Sequence, residues 1–389
     1  MPAAVIVSAV RTPIGTARKG TLTETPGEEL ATHILRETVR RSGLAPDRFD
    51  DVVFAEAMYG GGALARYAAV AAGMAQVAGV AVNRHCAGSL TSVAMAAGSI
   101  RSGMDRAVVA GGVQTSSLSP KVQWRIPGAE TTETRSAPTF PYSDDANDDT
   151  SLTVGWNVAR QYGISRERMD AWAVRSHRRA VAATEAGVFA DELAPIKVTR
   201  RDGSVVEFSA DEHPRATTSM EKVAALPPLH PEIPGFSITA GNASGANDGA
   251  AALAVVADDL ARGEGLTQLA TVRAWAAAGV QPRVTGMGAV DAAVKVLGRA
   301  GLAPADIDLW EINEAFASVP VAACEVLCID EEKVNVHGSG CSLGHPIAAS
   351  GARMLTTLIH ELRRRGGGIG LATMCAGGGQ GGAVVVEVT

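Results

Sequence analysis

Ser42-Gly43-Leu44-Ala45-Pro46, followed by Asp50, returns late in the chain as Ala300-Gly301-Leu302-Ala303-Pro304, followed at the same distance by Asp308. The echo continues, because Glu56-Ala57 reappears at the same offset as Glu314-Ala315. Asn83-x-His85 then matches Asn335-x-His337, and Ala110-Gly111-Gly112 matches Ala376-Gly377-Gly378, with the small drift that changes in loop length produce. A repeat this long does not build a solenoid. It builds two copies of one domain that pack together.

Each copy alternates strand and helix, so the expected class is α/β. In the first copy, Ala4 to Ala9 is an apolar run of strand length. Glu28 to Ser42 carries Leu30, Ile34, Leu35 and Val39 at helical spacing, and Asp51 to Phe54 is another strand. Gly43 stands where a helix ends in a left-handed glycine. Ser89 to Ile100 is apolar on every side, which predicts a buried helix with Cys86 just before it or in its first turn. Val108-Val109-Ala110 reads as a strand ending at Gly111-Gly112, and the order recurs from about Ala270 to Thr389. Residues 1–117, completed by 248–268, form one half; residues 269–389 form the other; residues 118–247 have no counterpart and are an insertion.

Within the insertion, Pro120 to Thr150 is polar and predicts long loops. Ser165 to Ala186 predicts a helix with Ser165 as its cap. Arg166, Arg168, Arg175, His177, Arg178 and Arg179 make that helix strongly basic, which suits either a solvated face or the binding of an anionic tail.

At 389 residues the chain is long enough for a deep site, in two or three compact units or one large unit with an insertion. Aromatic residues are only 4% and glycines number 43, so backbones are expected to approach closely around small side chains. A net charge of −6 argues against sequence-independent nucleic-acid binding. The apolar opening Val5-Ile6-Val7 is too short for a signal peptide, and the cysteine count of five is odd, which together suggest a reducing cytoplasmic setting. Gly366 to Val386 is uncharged but broken by glycines, so no transmembrane helix or membrane partner is expected.

Three stretches carry chemistry. Asn83-Arg84-His85-Cys86-Ala87-Gly88-Ser89 puts a thiol where a polar run meets a buried helix, whose dipole and free N–H groups would stabilise a thiolate. Gly344-His345-Pro346 aims an imidazole between a permissive and a rigid residue, as activation of a thiol requires. Met374-Cys375-Ala376-Gly377-Gly378-Gly379 ends a strand in a turn whose N–H groups suit an oxyanion hole. Taken singly, each has a plainer reading: inert core cysteine, turn histidine, ordinary glycine turn. Gly338-x-Gly340-x-x-x-Gly344 has the wrong spacing for a dinucleotide loop. Cys324 and Cys328 lie four apart with no second pair, so buried packing is expected rather than a metal site. Cys341 is expected to be structural, and His33 and His360 to be surface or core residues.

Five motifs together resemble the thiolases, in order and along nearly the full length: Asn83-Arg84-His85-Cys86, Ala240-Gly241-Asn242-Ala243-Ser244-Gly245-Ala246-Asn247-Asp248-Gly249, Asn313-Glu314-Ala315-Phe316, Gly344-His345-Pro346 and Cys375-Ala376-Gly377. The resemblance implies the duplicated thiolase fold, five layers in the order α-β-α-β-α, with the inserted loop domain binding coenzyme A, and a homodimer or homotetramer. It implies an acyl-CoA C-acyltransferase that uses coenzyme A as co-substrate, with no resident cofactor and no metal. By the same resemblance Cys86 is the nucleophile, His345 its activator and Cys375 the proton carrier. Asn313 holds a water in one oxyanion hole, and the N–H groups of Cys86 and Gly377 form the other. Ser244 contacts the pantetheine arm and Arg215 approaches the nucleotide end.

The chain departs from the family pattern at Ala87-Gly88-Ser89, Gln114-Thr115-Ser116, Ser151-Leu152, Trp156 and Ala348. These departures bear on the acyl group rather than on the catalytic residues. Two other classes remain open at this point: a decarboxylating ketoacyl-synthase-like condensing enzyme, in which histidine would be expected at Cys375, and a noncatalytic acyl-CoA- or lipid-binding protein.

Overall fold

In the computed structural model, which describes residues 1–59, 61–143 and 146–389, the duplication is visible in the element order. The first half runs β1 (Ala4–Arg11), α1 (Gly27–Ser42), β2 (Asp51–Ala55), α2 (Leu64–Ala71), β3 (Ala78–Val82), α3 (Gly88–Ser102) and β4 (Ala107–Thr115). After an insertion that contains the long helix α4 (Arg166–Glu185), the chain returns as β5 (Asn247–Ala257). The second half repeats this as β6 (Ala270–Gly279), α5 (Gly288–Ala300), β7 (Leu309–Ile312), α6 (Ser318–Leu327), α7 (Ser350–Arg364), β8 (Gly368–Ala376) and β9 (Gln380–Val388). Where β3 would recur, only a bridge between Trp310 and Val334 remains.

Pairing follows the same plan twice. β2 lies parallel to β3 and β4, and β4 is antiparallel to β5, which is antiparallel to β1. Likewise β7 is parallel to β8, β8 is antiparallel to β9, and β9 is antiparallel to β6. The halves join edge to edge where Val5 and Ile6 of β1 meet Thr271 and Ala270 of β6.

Strand alternation assigns the layers. Val5, Val7 and Val10 pack with α1 and α2, while Ala4, Ile6 and Ala9 face the layer of α3 and α7. Trp310, Ile312 and Val385 pack against α5 and α6 on the far side. Helix α1 is helical because Leu30, Ile34 and Leu35 fall on one face, all fully buried, each contributing about 1.5–3 kcal/mol. It stops at Gly43, which takes φ +74°.

Two expectations need correction. Helix α3 is not buried all round: Met95 is 46% exposed, and Thr91 and Ala94 are only partly covered by the described residues. Cys328 is exposed rather than packed, since α6 ends just before it in a left-handed turn at φ +52°.

The insertion is irregular and exposed over most of Pro120 to Thr150, apart from the hairpin Gln123–Arg125 with Thr132–Thr134; Asp144 and Asp145 fall outside the described residues. Helix α4 is capped by Ser165 Oγ, which accepts from Arg168 N at 3.2 Å. Its arginines are already paired. Arg168 and Arg175 meet Glu331, Arg179 meets Glu332 at 2.6 Å, and Arg166 meets Asp170 at 2.7 Å. Arg178 alone of the arginine series has an exposed place with no ion pair among the described residues. The basic face therefore docks the insertion on the second half.

A deeper tie is wholly buried: Arg11 of β1 bonds Glu192 at 2.6 Å and Asp211 at 2.8 Å. Among the described residues, no helix is long and apolar enough to cross a membrane.

Candidate active site

Cys86 sits in the single turn that leads into α3. Its own N–H and that of Gly377 both approach its sulfur. Dense surroundings nevertheless push the thiol up to about 11, against the expectation of a helix-stabilised thiolate. Desolvation outweighs two N–H dipoles, so the resting group is a neutral thiol that needs a base.

His345 is held at three points. Its N–H donates to Asn247 Oδ1 at 2.9 Å, and Gly344, at φ +103°, presses so closely on the Asn247 amide that a Cβ would lie 2.6 Å from it. Nδ1 lies 2.6 Å from Ser350 Oγ. Since that hydroxyl donates to Pro346 O at 2.9 Å, Nδ1 must carry the proton and Nε2 the lone pair. Nε2 accepts from Asn313 Nδ2 at 3.4 Å. Burial, with the Arg353 charge second, lowers the imidazole to about 3, so it is neutral near pH 7.

The loop that carries His345 reaches this place because Gly112 of β4 has no side chain: a Cβ there would overlap Ala348 O. The starts of α3 and α7 are also clamped, with Ala352 N donating to Ser89 Oγ at 2.9 Å.

Asn313 follows β7 and bonds back to the sheet through Thr373 O at 3.1 Å. Its Oδ1 is buried without a hydrogen-bond partner among the described residues, which leaves it free to accept from a molecule in the cleft. The neighbouring Glu314 is saturated. It accepts from Trp172 Nε1 and Asn335 Nδ2 at 2.9 Å, Ser176 Oγ at 2.6 Å and Cys341 N at 3.1 Å. One carboxylate thus fastens α4, the Asn313 turn and the loop leading to His345.

Cys375 lies one residue before the end of β8, fully buried, and its thiol is raised by desolvation and then by Cys86. Its electrostatic coupling to Cys86 places the two sulfurs in one neighbourhood. The 243–246 segment runs between the other two motifs: Ala243 bridges Phe316, and Ala246 bridges His345. Ser244 within it is tied by its N–H to Ala315 O at 2.9 Å. Arg215 is exposed, its N–H donating to His177 Nδ1 at 3.2 Å, and His213, two residues away, packs against Gly245. Two groups thus emerge: Cys86 with Gly377 and Cys375, and Asn313 with His345, the latter joined through residues 243–246 to Ser244, while Arg215 stays exposed beyond His213.

Sequence reasoning missed Asn247, Ser350 and Glu314 as supports. Asn247 and Glu314 stand inside quoted motifs, which was the available signal; Ser350 gave none. Two departures turn out to be partners: Gln114 Oε1 accepts from Ala348 N at 3.3 Å. Trp156 packs on Phe236, ring centres 5.2 Å apart, and Ser151 Oγ donates to Asp149 at 2.6 Å. Cavities of about 600 Å³ beside Tyr59 and Lys121 and about 400 Å³ beside Arg84 and Met95 contain neither Cys86 nor Cys375. Among the described residues, no group of three or more His, Cys, Asp and Glu could hold a metal ion.

Residues 4–259 match the family model for the thiolase N-terminal domain, and residues 266–388 match that for the thiolase C-terminal domain. The chain is 40% identical to the acetyl-CoA acetyltransferase of Escherichia coli and 40% identical to that of Cupriavidus necator, each over 98% of both chains. The crystal structure of the Bacillus anthracis acetyl-CoA acetyltransferase superposes with a TM-score of 0.91 at 39% identity, covering 100% of this chain and 99% of that one. Human mitochondrial 3-ketoacyl-CoA thiolase in complex with CoA gives 0.90 at 31% identity, with 100% and 98% covered. The chain belongs to the thiolase family. Its activity is acyl transfer of the thiolase type.

Proposed function

We infer that Cys86 is the acyl-accepting nucleophile in a two-stage exchange on acyl-CoA thioesters, with His345 and Cys375 as proton carriers. In the degradative direction Cys86 Sγ attacks the 3-keto carbon of a 3-ketoacyl-CoA, and its proton passes to His345 Nε2. The C2–C3 bond breaks, its electron pair stays on C2 of the departing acetyl-CoA, and the Cys375 thiol protonates that carbon. Free coenzyme A then attacks acyl-Cys86 and releases the shortened acyl-CoA. The incoming thiol's proton restores Cys375, and His345 returns its own to Cys86. Run backwards, Cys375 removes an α-proton from acetyl-CoA and the same steps join two acyl groups.

This reading is supported by the Cys86 and Gly377 N–H groups near the Cys86 sulfur, together with the lone pair that the Ser350 hydroxyl, donating to Pro346 O, leaves on His345 Nε2. The oxygen of the attacked carbonyl would accept hydrogen bonds from both N–H groups as charge develops. Asn313 holds the water of the second oxyanion hole through Oδ1 and steadies His345 through Nδ2. Cys375, kept protonated by burial, is suited to donate rather than to attack.

Residues 118–247 form the coenzyme A-binding domain between halves 1–117, completed by 248–268, and 269–389. Ser244 meets the pantetheine arm and Arg215 the nucleotide. That human mitochondrial 3-ketoacyl-CoA thiolase was crystallised in complex with CoA supports coenzyme A as the ligand. Coenzyme A enters as co-substrate, and the enzyme works in the cytoplasm as a homodimer or homotetramer.

The test is intact mass after brief incubation with short, long and ring-bearing 3-ketoacyl-CoAs. An adduct that clears on adding coenzyme A and is absent in Cys86→Ala is expected. An adduct that persists in the variant would overturn the assignment.

A further inference from the structure

His85 precedes the nucleophile in a conformation, φ +43°, that few non-glycine residues adopt and histidine tolerates better than most. Its N–H is held by Asn83 Oδ1 at 2.8 Å. Its ring lies on Gly377, where a Cβ would come within 3.3 Å of Cγ. From there Nε2 bonds Thr139 Oγ1 of the insertion at 2.9 Å. The Thr139 methyl in turn covers Gly378, where a Cβ would collide with it.

The turn beneath this pair has no side chains of its own. Gly378 and Gly379 take φ +82° and +74°, and a glycine run has many competing conformations. On one side Gln380 Nε2 donates to Gly377 O at 3.1 Å, and Gly379 N donates to Thr285 Oγ1 at 3.1 Å. His85 and Thr139 press on the turn from another.

We propose that His85 and Thr139 are a positioning pair that holds the Gly377 N–H aimed at the Cys86 sulfur. The proposal rests on the reading of Gly377 as an oxyanion donor. An oxyanion hole is effective only when its donors are fixed before charge develops. Because Thr139 belongs to the insertion and His85 to the first half, the hole is complete only when that stretch of the insertion is seated. Neither residue touches the reacting atoms in this role, so loss of the pair slows acylation and leaves coenzyme A affinity alone.

The experiment is rapid-quench intact mass of acyl-Cys86 formation in the full chain, for wild type, His85→Asn, Thr139→Val and the double variant. Asparagine tolerates positive φ but is too short to reach Thr139; valine keeps the shape of Thr139 without its hydroxyl. Each single change is expected to slow acylation about threefold to tenfold, the loss of one neutral hydrogen bond. The double variant is expected to be no slower than the slower single, with the KM for coenzyme A unchanged. Multiplying losses in the double variant, or wild-type rates in Thr139→Val, would overturn the pairing. Failure of the wild type to form any Cys86 adduct would instead overturn the nucleophile assignment, and this proposal with it.

Discussion

The backbone N–H of His345 donates to Asn247 Oδ1 at 2.9 Å, so the imidazole hangs from the first residue of β5 rather than from its own loop. The other end of the same amide donates to Gly15 O at 3.0 Å, which fixes its orientation. Asn247→Ala removes both bonds in a buried place. It should lower kcat about tenfold to a hundredfold with little change in KM, and cost about 1–3 kcal/mol of stability. Steady-state kinetics together with denaturant unfolding check this.

Ser350 fixes which imidazole nitrogen carries the proton. Ser350→Ala leaves Nδ1 without its partner and lets the ring turn, so acylation should slow by about tenfold or more while Cys86 remains the labelled residue. Cys86→Ser should lose about a thousandfold or more, since a hydroxyl is far less nucleophilic beside the same base. Single-turnover mass measurements separate the two.

Stability should peak between about pH 6.5 and 9, the unfolded values of histidine and cysteine. His345 is lowered to about 3 and His177 to about 4 by burial, so below 6.5 the unfolded chain binds more protons and stability falls with pH. Cys86 is raised to about 11, so above 9 the folded chain holds the extra proton and stability falls as pH rises. Denaturant midpoints from pH 4 to 10 measure both limbs. His177→Asn should flatten the acid limb; an unchanged slope would count against the His177 contribution.

Asp211→Ala should be costly although it lies far from the thiols. Arg11 is fully buried, and with Asp211 gone Glu192 is its one remaining ion-pair partner among the described residues. A partly unpaired buried guanidinium costs about 3–5 kcal/mol. Because the pair ties the insertion to β1, unfolding curves should shift to lower denaturant. The triple change Arg11→Met, Asp211→Ala and Glu192→Gln, which leaves none of the three charges stranded, should recover part of the loss.

Much of the fold was legible because the same local signals occur twice. Gly43 and Gly301 end equivalent helices in left-handed turns, and each is preceded by apolar residues at helical spacing. What misled was composition read without neighbours. Helix α3 is apolar on every side in sequence, yet Met95 lies open, because sequence does not say which side another element covers. The basic helix α4 likewise offered two readings. Only the carboxylates of Glu331 and Glu332, more than a hundred residues on, decide for docking.

By itself the sequence determined the α/β class, the duplication and the residue types of the thiol site, because hydrophobic period, glycine turns and motif order are local properties. The tertiary structure alone decided their electrostatic state and their supports. Whether Cys86 rests as a thiolate or a thiol depends on how much water its neighbours exclude, and packing settled that for the thiol. Which nitrogen of His345 is free depends on Ser350, and where the ring points depends on Asn247 from another strand. Such contacts join residues brought together only when two halves and an insertion close on one another, and no local pattern records them.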